Sequence, residues 1–139
     1  MTDLQIAKRN LFGHTICLCR KGQCLFSEKR GIAPIMNLIA DGICLGGYSV
    51  ADLVVGKAAA LLFVRCGVKA VFARLMADSA KEILEKNGIK CEYGKLTEKI
   101  FNREGTGLCP MEEAVAGTED VEEAYALLKD RMMLIGERK

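Results

Sequence analysis

The sequence predicts an α/β domain with helices on the faces of a sheet, and three observations carry that prediction. Between Val50 and Tyr93 the chain alternates strand, helix, strand, helix, strand with short links. The helix expected from about Gly56 to Cys66 is apolar on nearly every side, so it belongs between layers. Val68 to Met76, after the helix-ending Gly67, has the composition of a strand inside a sheet. Crossovers between parallel neighbours are expected to be right-handed.

Composition bounds the function. At 139 residues, half of them hydrophobic, the chain fits one domain with a real core, about residues 12 to 130 within 1–139. A net charge of +2 with intermixed signs argues against a dedicated nucleic-acid surface. The longest apolar run, Ala58 to Val64, is too short to cross a bilayer, and the N-terminus lacks a signal-peptide core. A cytoplasmic protein without membrane association is expected. Its seven cysteines should then be mostly free thiols, packed as small hydrophobes.

In chain order, Met1 to about Asn10 reads as a short helix or arm. His14–Cys19 and Gln23–Phe26 read as a hairpin turning at Lys21-Gly22, with Arg20 facing Gln23 and Cys19 facing Cys24. Ser27 to Gly31 is a charged link. Pro34 suits the first turn of a helix ending near Ala40, with Ile35, Leu38 and Ile39 as its apolar face. Gly46-Gly47 forms a turn, and Val50–Val55 is the next strand. After Met76, Asp78 or Ser79 caps a helix over Ala80–Asn87, and Ile89–Tyr93 is a short strand. An amphipathic segment, Leu96–Phe101, leads to a polar loop and a helix beginning around Pro110. Thr118 caps the last helix, which docks through Ala124, Leu127 and Leu128 and frays at its basic end.

Three places invite a functional reading. Gly56 at a helix start offers free N–H groups to an anion, Lys57 adds charge, and Asp52 precedes them; the plain alternative is tight packing and a solvated lysine. The stretch lacks the spacing of a phosphate-binding P-loop. In the loop Asn102 to Glu112, Arg103 could pair with an anion, and Cys109 beside a helix N-terminus could be an activated thiol; the plain reading is a capped helix with a buried cysteine. Asp78-Ser79 ends the long strand, most simply as a cap. Cys17, Cys19 and Cys24 would share one hairpin face. They could hold a soft metal, but a buried strand pair explains them, and no metal or cofactor is expected. His14, the single histidine, reads as a strand-end residue.

The stretches Asp52–Leu62, Leu84–Lys90 and Asn102–Glu112, with its Cys-Pro-Met-Glu, resemble the domain-of-unknown-function family 1893; His14-Thr15 and Arg30-Gly31-Ile32 fit the same pattern. The resemblance spans about residues 12 to 130. It implies a cytidine deaminase-like fold, a three-layer α/β/α sandwich with a mixed sheet. A zinc deaminase would need His-x-Glu or Cys-x-Glu and Pro-Cys-x-x-Cys at two helix starts. Gly56-Lys57-Ala58 and Met76 to Ala80 supply neither, so zinc-dependent deamination is not implied.

The leading expectation is a zinc-free domain binding a small anionic or nucleotide-like ligand. Asp52, Gly56, Lys57, Asp78 and Arg103 would contact it beside Cys109 and Glu112. The alternatives are an enzyme with Cys109 as nucleophile or redox thiol, aided by Arg103 and Glu112, and a structural domain that self-associates into a homo-oligomer.

Overall fold

The computed structural model describes residues 1–102 and 104–137. The chain runs α1 (Asp3–Arg9), β1 (Ile16–Arg20), β2 (Gln23–Ser27), α2 (Ala33–Ala40), β3 (Ser49–Val55) and α3 (Lys57–Cys66). It continues through β4 (Ala70–Ala77), α4 (Asp78–Lys86), β5 (Lys90–Thr97), α5 (Pro110–Ala114) and α6 (Val121–Glu137). One sheet orders the strands β2-β1-β3-β4-β5. The hairpin and the β1–β3 pair are antiparallel, while β3, β4 and β5 run parallel through α3 and α4. The sheet is therefore mixed, as expected.

Local chemistry explains the hairpin. Lys21 and Gly22 both have positive φ, 52° and 81°, the conformation a two-residue turn needs to match strand twist. Their N–H groups donate to the Asp3 carboxylate at 2.9 and 3.0 Å. Those bonds hold that carboxylate below its ordinary pKa and tie α1 to the turn. Thr2 and Gln5 form a reciprocal capping box, so the N-terminal segment is a helix rather than an arm.

The two sheet faces are covered unequally. Alternation along β1 sends Ile16 and Leu18 to one face, where α2, α3, α4 and α6 pack around Phe63, Leu61, Leu62 and Leu84. Cys17 and Cys19 go to the other face, where Ala51 and Phe72 meet Ala7 and Leu11 of the α1 region. α3 is buried along most of its length and ends at Gly67, whose φ of 71° is the left-handed cap conformation.

Several sequence expectations need correction. Cys19 and Cys24 are joined by a disulfide, because directly opposed hairpin positions bring their Cα atoms within 4.1 Å. Cys17 remains a free thiol, and burial pushes its pKa up to about 11. β1 is buried on both faces, but β2 is an edge strand with exposed Phe26. β5 continues to Thr97, past the expected end at Tyr93, since Gly94 lets the Arg74 carbonyl of β4 come close. Neither Asp78 nor Ser79 caps α4. The extended residue Ala77 leads straight into the helix, and Asp78 occupies its exposed first turn. Asp120, not Thr118, caps α6 by accepting from the Glu123 N–H at 2.8 Å. Ala124 and Leu128 dock that helix as expected, whereas Leu127 faces solvent. The expected fraying at Arg138 and Lys139 lies outside the described residues.

Candidate functional site

α3 starts where β3 ends at the middle of the sheet, so its first N–H groups face the region where a ligand was expected. A side chain of the protein occupies them. Glu112 of α5 accepts from the Lys57 N–H through Oε1 and from the Ala58 N–H through Oε2, both at 2.8 Å. The carboxylate thereby satisfies two unpaired helix donors and sits at the positive end of the α3 dipole. Gly56 makes the approach feasible: a Cβ there would lie 2.6 Å from Glu112 Cδ. Lys57 Nζ reaches back to the Ala116 carbonyl at 3.3 Å. Gly56, Lys57 and Glu112 are thus brought together, but as an internal latch between α3 and α5.

The groove beside this latch is small, about 220 Å³, and its wall mixes Lys57 and Lys99 with Glu98 and Glu112. Such balanced charge gives no strong preference for an anion. Asp78 is exposed and does not line that groove, and Arg103 lies outside the described residues.

Cys109 sits elsewhere. It begins α5, half-buried, in the wall of a cleft of about 540 Å³ that is predominantly apolar. Ile32, Met111, Met132 and Ile135 supply the apolar wall, and Arg30 contributes a cation. The preceding loop is closed on itself: Asn102 N–H donates to the Gly107 carbonyl at 2.9 Å, and Cys109 N–H to the Ile100 carbonyl at 3.0 Å. α5 has five residues, with Glu112 and Glu113 in its first turn. Cys109 thus stands beside a helix N-terminus as expected, but the helix is short and carries two acids in its first turn. Glu112 cannot serve as its partner either, since both carboxylate oxygens are engaged at α3. His14 is likewise distant in role, bonded to Glu28 at 3.1 Å on the hairpin.

A family model described as a domain of unknown function, DUF1893, TM1506, matches residues 8–132. The chain belongs to the DUF1893 family. Among solved structures it is similar to a DUF1893 family protein, TM1506, from Thermotoga maritima, with a TM-score of 0.83 and 21% identity over 94% of this chain and 91% of that one. At that identity the likeness concerns the fold. No curated protein matches the chain.

Sequence reasoning missed the cleft of this DUF1893 domain. Arg30-Gly31-Ile32 stood out only as part of the family pattern, and Met132 and Ile135 only as parts of a docking helix. Their common signal was a cation beside apolar residues with no obvious core partner, and it becomes readable once α2, α5 and α6 are placed.

Asp52 is in the site's strand but not in any of these openings. It is 6% exposed on β3, between Ile16 of β1 and Ala73 of β4. Its Oδ1 accepts from the Leu53 N–H at 2.8 Å. Burial outweighs that hydrogen bonding and pushes its carboxyl up to about 7.

Two outcomes are expected. Glu112→Ala should destabilise the domain by about 2–4 kcal/mol in urea unfolding, because it leaves two buried-edge helix donors without a charged acceptor. Asp52 binds its proton more tightly folded than unfolded. Stability from this group is thus full below the unfolded value of 3.8 and declines as pH rises toward about 7. Asp52→Asn should remove that decline, making the variant more stable than the parent at pH 8 by on the order of a few kcal/mol and little changed at pH 4. Parallel pH profiles for the two proteins would contradict it.

Proposed function

We propose that this DUF1893 domain binds a small molecule with an apolar body and one anionic group. Its site is the cleft between the start of α2 and the α5–α6 pair. The observation that carries the reading is the combination of volume and lining: about 540 Å³ of mainly apolar wall with Arg30 at it. Ligand sites of that size are typically apolar, with a few polar groups that fix orientation. Burying the ligand's apolar surface supplies affinity, and the Arg30 guanidinium selects a carboxylate, sulfonate or phosphate. The expected anion-binding region thus moves from the α3 start, which Glu112 fills, to Arg30.

The cytidine deaminase-like reading of the fold belongs to this proposal. Parallel crossovers through α3 and α4 on one sheet face support it. The starts of α2, α3 and α4 carry Ala33-Pro34, Lys57-Ala58 and Asp78-Ser79, and none of these offers an imidazole or thiol for zinc. Binding without zinc-dependent deamination is the resulting function. Among the described residues no helix is long and apolar enough to cross a membrane.

Anilinonaphthalene sulfonate, an apolar body with one anionic group, tests the reading. Its fluorescence titration should give saturable binding that Arg30→Ala weakens about 3- to 10-fold, the worth of one exposed charge-assisted contact. Met132→Glu, which sets a negative charge in the apolar wall against the sulfonate, should abolish it. Binding indifferent to both substitutions would remove the proposal.

A second reading keeps Cys109 as a reactive thiol, favoured by its place in the cleft wall. Iodoacetamide at neutral pH should then label Cys109 ahead of exposed Cys44, as peptide mass mapping would show. Faster labelling of Cys44 would eliminate it.

A further inference from the structure

We propose that the reduced hairpin holds one monovalent, soft d¹⁰ ion, Cu(I), through Cys17, Cys19 and Cys24. The Sγ atoms of these three residues all lie within 4.8 Å of one another. Cys17 Sγ is 3.6 Å from Cys19 Sγ on the same strand face, and Cys24 stands directly opposite Cys19. An ion about 2.3 Å from each of three coplanar sulfurs needs them about 4 Å apart, a spacing within reach of this set.

The donor set selects the metal. Among the described residues no fourth His, Cys, Asp or Glu joins the three thiols. Thiolates suit Cu(I), zinc and iron–sulfur clusters alike, but zinc in a closed protein site and the irons of a cluster take a fourth ligand, so a set of three thiolates favours Cu(I). The surroundings suit a soft, weakly hydrated ion. Cys17 and Cys19 are fully buried beneath Ala7 and Leu11, and Cys24 is half-buried, leaving one approach from the edge strand.

The chemistry balances without an unnamed reactant. The Cys19–Cys24 disulfide takes two electrons from a phosphine and two protons from a water molecule whose oxygen leaves in the phosphine oxide, giving two thiols. Three thiol protons then pass to solvent as three Cu–S bonds form, and copper stays Cu(I) throughout. Oxidation to the disulfide and occupation by metal therefore exclude each other.

The test uses the full chain, reduced with a phosphine under anaerobic conditions, and Cu(I) supplied as its bicinchoninate complex. The reduced parent should withdraw one equivalent from the chelator, and X-ray absorption should show sulfur-only coordination. Cys24→Ala should lower the affinity at least tenfold, while Cys66→Ser leaves it unchanged. The parent oxidised to its disulfide provides a second comparison that needs no substitution, and it should leave the copper with the chelator. Failure of the reduced parent to compete, equal binding by the oxidised parent, or equal binding by a folded Cys24→Ala variant would each overturn the proposal.

Discussion

The Glu112 carboxylate on the first N–H groups of α3 is the contact on which the rest of this structure depends. α3 lies at the centre of the helix layer and buries Ala58 to Phe63, so the Ala58 N–H in particular has no access to water. A charged acceptor from fifty-four or more residues away satisfies it instead. Gly56 is required because the acceptor arrives where a side chain would otherwise stand. The contact also fixes α5 against α3, and the neighbouring Arg131 to Pro110 carbonyl bond, at 2.7 Å, fixes α6 against α5. Position of the cleft wall follows from those two attachments.

This arrangement shows why a helix N-terminus is a poor guide to a ligand by itself. The same dipole and free donors that would attract a phosphate attract a carboxylate from the protein, and an intramolecular acceptor has the advantage of high effective concentration. In the cleft, by contrast, Arg30 stands against mainly apolar walls. Hydrogen bonding therefore assigns the Glu112 carboxylate to architecture, although the sequence had marked it as a candidate site residue.

The unequal faces of the sheet have a parallel consequence. Five helices are available to the side that carries Ile16 and Leu18, and long aliphatic residues fill the gap there. On the opposite face α1 is the one helix among the described residues that packs on the sheet, and small residues such as Ala7, Ala51, Cys17 and Cys19 lie at that contact. Thiols are well suited to such packing, and this alone accounts for their burial. Their convergence with Cys24 is a separate result of hairpin register.

The sequence by itself determined the elements and their order, because hydrophobic period and punctuation are local. The positive-φ turn at Lys21-Gly22, the Gly67 cap, the apolar run of α3 and the facing of Cys19 and Cys24 were all legible there. It also marked Gly56, Lys57 and Glu112 as unusual. Tertiary structure decided what those residues do, since the partner of a helix terminus can come from any distance along the chain. It placed Asp52 in a desolvated strand, separated Cys109 from Glu112 and assembled the cleft from three helices whose apolar residues look alike in sequence. It likewise extended β5, since the accommodation at Gly94 depends on the Arg74 carbonyl of another strand. Local propensity specifies an element, but only packing specifies which polar group is left free to meet a ligand.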